Sequence, residues 1–333
     1  MQKIKVSTSF PKFPFERQTP GFSCEFNGSK FYINQEIDDF DFWIVYDDII
    51  DTEIANCSHG CLILFTAEPE SILTYPKRFL EQFDVVVTSQ ENLAHKNKIL
   101  NHTSLPWHIG RVINVGVEDV FTRNYDELSL EKIKKSKLLS VISSNKTYTK
   151  GHKQRLQFVK ILKEYFGNAL DVYGRGLNDF QDKWDVIAPY KYHIVLENSS
   201  QNFYWTEKLS DCFLGVSYPL YYGCKNLESY FDVNSFSSID ICDPELAIKK
   251  IEFAIENNLY EKNLDSLLKS KNLILNHYNF FSYAAKVCSG FNSVSAKRLI
   301  KIKNQSNCFS LKEKGFKSAV RFYKNQMINL FGA

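Results

Sequence analysis

Tyr190 to Asp240 reads YKYHIVLENSSQNFYWTEKLSDCFLGVSYPLYYGCKNLESYFDVNSFSSID. The apolar run His193 to Leu196 predicts a short buried strand, closed by the polar pair Glu197-Asn198. A loop of small and polar residues follows, with three aromatics, Phe203, Tyr204 and Trp205. Thr206-Glu207-Lys208 then opens a helix whose apolar positions are Leu209, Cys212 and Phe213. Gly215 closes it, and Tyr218 to Tyr222 predicts a second strand. Strand, polar loop, helix and strand make one crossover unit of a parallel sheet. Such sheets bind ligands at the carboxyl ends of their strands, beside helix N-termini.

The same alternation extends outward in both directions. Phe236 to Ile241 predicts a last strand, Pro244 to Asn257 a helix, and mostly helical sequence runs on to Cys288. Upstream, Leu139 to Ile142 is a strand with Ser143-Ser144-Asn145 as its polar end. Lys150 to Phe166 is a helix with Leu156, Val159, Leu162 and Phe166 at helical spacing. Leu170 to Tyr173 is a strand ended by Gly174-Arg175-Gly176, which signals a turn. Nearer the start, strands are predicted at Lys3–Ser9, Phe42–Tyr46, Cys61–Phe65 and Asp84–Thr88, with helices at Leu73–Phe83 and Gln90–Lys98. The acidic stretch 47–51 reads either as a cation site or, by the commoner pattern, as a solvated turn. Between the two alternating blocks, residues 112–135 are loosely patterned and charged.

Two separate blocks predict two Rossmann-like domains facing a cleft, with an N-terminal domain over 1–130, a second over 131–292 and a basic tail over 293–333. Neither block has the glycine pattern of a dinucleotide site or of a nucleoside triphosphatase loop. A chain of 333 residues with 27 Phe and 18 Tyr has length and aromatic content for two cores. No apolar run of membrane-spanning length is present, and the first residues enter a strand pattern without a signal-peptide core, so a cytoplasmic location is expected. The eight cysteines are scattered and read as reduced thiols; Cys57 and Cys61 flank His59, but no second ligand pair joins them.

The net charge of +3 hides an asymmetry, because nine of 41 basic residues but one of 38 acidic residues lie from Lys297 onward. Phe316, Val320, Tyr323, Met327 and Leu330 fall on one helical face flanked by Lys314, Lys317, Arg321 and Lys324. The tail reads as a basic amphipathic helix for an anionic inner membrane face, or as a helix that packs on the body or stays disordered. A nucleic-acid partner is not expected.

Transfer of a sugar from a nucleoside diphosphate needs cations and a helix N-terminus at the departing phosphates, and a carboxylate near the oxocarbenium-like sugar. It also needs a base for the acceptor hydroxyl. Lys208 on a first helical turn, Arg155 on the helix after the 143–145 strand end, and Glu207 fit the first two needs, while Tyr204 could lie along the nucleoside or sugar. The ordinary reading is that Glu-Lys after a threonine is helix capping, that Arg155 is a surface residue, and that Asn198 forms a turn.

The block from Tyr190 to Gly223 resembles the signature of the α1,3/4-fucosyltransferases, glycosyltransferase family 10: Tyr-Lys, an apolar strand, Glu-Asn, Thr-Glu-Lys and Pro-Leu-Tyr-Tyr-Gly in order. Ser143-Ser144-Asn145, Arg155 and Asp171-Val172-Tyr173-Gly174 look like that family as well, so the resemblance covers about 138–245. It implies a GT-B fold of two Rossmann-like domains, with the acceptor bound by the first and the donor by the second. The donor would be GDP-fucose, and the reaction would invert the anomeric centre without an essential metal. Arg155 and Lys208 match phosphate-contacting positions, Asn198 and Tyr204 donor-contacting ones, and Glu207 the carboxylate facing the ribose or fucosyl ring. The base would be Glu68, in Phe65-Thr66-Ala67-Glu68-Pro69, with Glu70 as its competitor. The acceptor would be a glycan, through an α1,3 linkage, on lipopolysaccharide or another surface polymer. Trp205 departs from the pattern, and the N-terminal half matches weakly. A GT-B transferase with another nucleotide sugar, or an inactive glycan-binding relative, remains the alternative.

Overall fold

The computed structural model describes residues 1–10, 15–112, 120–143, 150–174, 176–292 and 296–309, with Lys150 and His152 by backbone alone. These fall into two compact units: 1–105 with 279–309, and 106–112 with 120–278. The chain therefore crosses between units near 105 and 278, whereas the sequence pattern placed the borders near 130 and 292.

In the first unit the strands are β1 (Gln2–Thr8), β2 (Glu25–Phe26), β3 (Ser29–Ile33), β4 (Phe42–Tyr46), β5 (Glu53–Ser58), β6 (Leu62–Phe65), β7 (Val85–Thr88) and β8 (Lys98–Leu100), with helix α1 (Lys77–Leu80). Seven of them form one sheet in the order β2-β3-β1-β4-β6-β7-β8, parallel except for β2 against β3. All residues of β4, β6 and β7 are buried, as continuous apolar runs in a parallel sheet require. Two expected helices shrink or vanish. Pro76 caps α1, and a residue before proline is driven out of the helical region, so only four residues remain of the expected 73–83. Over 90–98 no helix forms, because Leu93 and Ala94 alone cannot make an apolar face. Polar side chains close the loop instead: Gln90 Nε2 donates to the Glu68 and Leu73 carbonyls at 2.9 Å, and Lys98 Nζ to those of Glu91 at 2.5 Å and Leu93 at 3.1 Å.

The second unit contains β9 (Arg111–Val112), β10 (Val120–Phe121), α2 (Tyr125–Leu130), β11 (Lys137–Ile142), α3 (Lys150–Phe166), β12 (Leu170–Tyr173), α4 (Lys183–Ile187), β13 (Tyr190–Leu196), α5 (Glu207–Leu214), β14 (Tyr218–Tyr222), β15 (Ser237–Ser238), α6 (Pro244–Glu256), α7 (Leu259–Lys262) and α8 (Leu264–Asn276). Its main sheet is wholly parallel, in the order β12-β11-β13-β14-β15. This is a doubly wound sheet whose order reverses between β11 and β13, and the crevice at their carboxyl ends is the place for a ligand. Gly174 closes β12 with φ +145°, where a Cβ would fall 1.6 Å from the Ser143 carbonyl oxygen. Trp205, the departure from the family pattern, is 2% exposed and packs among Tyr230, Phe231 and Tyr278 at 5.4–5.7 Å between ring centroids.

The chain then returns to the first unit through α9 (Phe280–Ser289), β16 (Lys297–Ile302) and α10 (Gln305–Cys308). Phe280 meets Phe15, Tyr46 and Phe65 at 5.3, 5.3 and 5.9 Å, and Phe281 meets Phe31 at 5.0 Å. The α9 phenylalanines thus complete the first core. β16 pairs antiparallel with β5, so the basic tail expected from 293 begins as a folded strand. The amphipathic helix read over 316–330 lies outside the described residues. Each of the two units thus carries a largely parallel, Rossmann-like sheet. Among the described residues no helix is long and apolar enough to cross a membrane. All eight cysteines carry free thiols.

Candidate active site

Glu197 follows the last residue of β13 and is fully buried. Its carboxylate accepts the Thr206 backbone N–H at 2.9 Å and the Thr206 hydroxyl at 2.7 Å, and lies 3.5 Å from Lys208 Nζ. Thr206 is the N-cap of α5, so one buried carboxylate fixes where that helix starts. Lys208 turns back over the cap, 3.1 Å from Glu207 Oε1 and 3.2 Å from Thr206 Oγ1. Burial alone would raise Glu207, but the cations of Lys208 and Lys183 outweigh it and hold the carboxyl well below its usual range. Burial would likewise lower Lys208, yet Glu207 and Glu197 raise it. Glu197 itself is pushed up by burial, against the pull of Lys208. The Glu-Lys pair is therefore part of a buried charge network as well as a helix start.

Arg155 reaches the same strand end from α3. Its Nη1 donates to the Leu196 carbonyl at 3.2 Å. Its Nε is buried and, among the described residues, has no acceptor. Burial lowers this guanidinium, while Glu197, Tyr204, Tyr222 and Glu207 around it act the other way. Tyr204 is 1% exposed, and Asn198 is half-buried beyond Glu197. The structure thus brings Tyr204, Glu207 and Lys208 within electrostatic reach of Arg155 at the end of β13.

Four further residues belong to this network and were not singled out by sequence. Asp211, one turn along α5 from Glu207, is fully buried and accepts the backbone N–H groups of His108 at 2.9 Å and Ile109 at 3.0 Å. Its other oxygen is 2.6 Å from Lys183 Nζ. Asp182, the cap of α4, accepts the next amide, Gly110 N–H, at 2.9 Å. Three successive amides are so held by two buried carboxylates. The His108 ring is kept neutral, first by burial and then by Lys183, with Arg111 and Lys208 adding to it against Glu207. One signal was present in the sequence: Asp211 interrupts the apolar face Leu209, Cys212, Phe213, where a charge must have a partner.

In the first unit, Glu68 lies just past β6 and is 8% exposed, while Glu70 is exposed and accepts from Asn92 Nδ2 at 3.1 Å. The Glu68 turn is anchored by the acidic stretch read as a solvated turn, which is a correction. Asp47 and Asp48 are 4% and 0% exposed. Asp47 Oδ1 accepts from Tyr75 Oη at 2.5 Å and from Ala67 N–H at 3.3 Å, and Tyr75 Oη accepts Glu68 N–H at 3.4 Å. Asp48 accepts Gln305 N–H at 2.9 Å. The carboxylates serve as backbone acceptors, which is why burial is tolerated. Of the sequence motifs, Ser144, Asn145 and Arg175 lie outside the described residues.

Residues 132–264 match the family model described as glycosyltransferase family 10 (fucosyltransferase), C-terminal. The chain is a glycosyltransferase. More narrowly, it carries the C-terminal domain of family 10, and that domain contains every site residue expected in the second unit. No curated protein matches the chain. Among solved structures it is similar to an α1,3-fucosyltransferase at 16% identity, covering 79% of this chain and 80% of that one, with a TM-score of 0.47. It is similar to an α1,3-fucosyltransferase with GDP at 16% identity over 84% and 92%, TM-score 0.47, and to one with GDP-fucose at 15% over 83% and 90%, TM-score 0.44.

Proposed function

We propose that this chain moves fucose from GDP-fucose to a hydroxyl of a glycan acceptor, with inversion at the anomeric carbon. The observation that carries the reading is the buried Arg155 Nε, which has no acceptor among the described residues, near Lys208 at the start of α5 and at the switch point of a doubly wound sheet. A guanidinium with one N–H left without an acceptor among the described residues can receive an anion, and a diphosphate suits that place. The family match of the same residues adds the fucosyl donor.

In this reading the acceptor oxygen forms its bond to C1 of the sugar as the bond from C1 to the phosphate oxygen breaks. Lys208 and Arg155 take the charge that grows on the departing GDP. Glu207, already ionised, faces the positive sugar ring. Asn198 and Tyr204 line the donor, and Glu68 takes the acceptor proton, its burial distinguishing it from exposed Glu70. The first unit would bind the acceptor and the second the donor, without an essential metal. The linkage proposed is α1,3, on a lipopolysaccharide or another surface glycan made on the cytoplasmic side. Calorimetry with GDP-fucose, GDP-mannose and UDP-glucose tests the donor, and NMR of the product tests linkage and configuration. GDP-fucose should bind tightest, and Arg155→Met should lose GDP binding while unfolding cooperatively. Tighter UDP-glucose binding, or a product with retained configuration, would refute the reading.

A further inference from the structure

The antiparallel register of β16 on β5 sets Lys297 opposite Ser58, Leu299 opposite Asn56 and Lys301 opposite Ile54. Side chains alternate along a strand, so Lys297, Leu299 and Lys301 share one face with Ile54 and Asn56. The opposite face is occupied: Ile302 and Cys57 are buried, and Arg298 is 3.1 Å from Asp84. On the outer face Leu299 is 72% exposed and Ile54 58%. They are diagonal neighbours across the ribbon. Two exposed aliphatic side chains side by side on one small ribbon call for a partner.

The charges around them indicate which partner. Lys297, Arg298, Lys301 and Lys303 run along one strand and its exit, without an acidic residue between them. Glu53, the acid on β5, is turned to the inner face, 3.3 Å from Lys5 Nζ and 2.8 Å from Ser7 Oγ. Asp39 lies 3.4 Å from Lys297, and Asp51 is exposed at the ribbon's end. Lys301 and Lys303 are exposed and have no ion pair among the described residues. Protein hot spots favour Trp, Tyr and Arg, and single-stranded nucleic acid needs aromatic platforms; this face has neither. Aliphatic side chains edged by lysines match the headgroup boundary of an anionic bilayer.

We propose that the outer face of the β5–β16 ribbon is a membrane footprint, with Leu299 and Ile54 entering the acyl boundary and Lys297, Lys301 and Lys303 meeting anionic lipid headgroups. This footprint belongs to the folded first unit and is separate from any contact made by residues 310–333.

The four native tryptophans, at 43, 107, 184 and 205, are at most 9% exposed, so an added surface tryptophan can be read against them. The full chain carrying Leu299→Trp is mixed with phosphatidylcholine vesicles holding about one-third phosphatidylglycerol, with brominated acyl chains. The added emission should fall by about half, recover in 0.5 M salt, and stay unchanged on vesicles of phosphatidylcholine alone. Lys301→Gln with Lys303→Gln should weaken vesicle binding by about tenfold. Co-sedimentation with vesicles but no quenching would place the contact elsewhere and overturn the footprint. Absence of vesicle binding would overturn it too, as would an emission shift that tracks protein concentration without vesicles, since a second copy would then cover the face. Ile54→Trp repeats the reading from the neighbouring strand.

Discussion

A methyl group at position 223 would sit 2.4 Å from both Glu197 Cγ and Tyr221 Oη. Gly223 is therefore what lets the chain after β14 pass against the carboxylate that caps α5. Gly223→Ala should displace Glu197 and lower stability by roughly 1–3 kcal/mol, the cost of overpacking. Thermal unfolding checks this, and GDP affinity should fall with it. Lys208→Ala should reduce kcat by about 10²–10³, the effect of losing one preorganised donor of positive charge. A near-wild-type rate would remove Lys208 from the diphosphate. Glu207 makes a prediction about pH. Its folded pKa is depressed, so its stabilising effect is present above the unfolded value of 4.5 and is lost as pH falls towards the folded one. It is ionised throughout the working range, so Glu207→Gln should lower kcat/KM by one constant factor from pH 5 to 8. An acid limb that moves in this variant would show that Glu207 titrates during turnover. Glu207 and Lys208 were legible because they sit in one motif with Thr206. Glu197 was visible only as a polar strand end, since its task depends on Thr206 and Gly223 arriving from separate turns.

At the scale of elements, α5 is the part most dependent on others. Its cap is held by Glu197 and its second turn by Asp211, which binds Lys183 and the 108–109 amides. Lys183→Met would leave a fully buried carboxylate without its cation, a loss on the order of 3–5 kcal/mol. Asp211→Asn removes the charge along with the need for the cation, so denaturant titrations should find the double variant more stable than Lys183→Met alone. If the two losses simply add, the pair is not coupled. The elements themselves were unevenly legible. α3, β4, β12 and β14 begin and end where the apolar pattern predicts, because each is bounded by polar or glycine-rich sequence. The 73–83 and 90–98 segments failed as helices because Pro76 and loop-closing polar side chains outweigh a weak helical period. β5 and β16 were missed because a two-stranded ribbon is specified by its partner strand, 240 or so residues away in sequence, rather than by local alternation.

At the scale of the whole molecule, the sequence showed two alternating blocks but not where the chain leaves the second. Phe280 and Phe281 continue a helical apolar pattern, and nothing local marks them as belonging to the other core. A chain ended at residue 278 should keep a cooperatively unfolding second unit and lose the first, which NMR amide dispersion would report. A well-dispersed first sheet in that fragment would show that α9 is dispensable. The same return sets an order of events on the ribosome. The second unit is complete in sequence by Tyr278, whereas the first must wait from Leu100 until Phe280 has been made, roughly 10–40 s at about 5–20 residues per second. For that interval Phe15, Phe31, Tyr46 and Phe65 lack the rings that close over them. The half of the protein made first would thus be the half finished last, and the nascent chain would need shielding there until the return segment emerges.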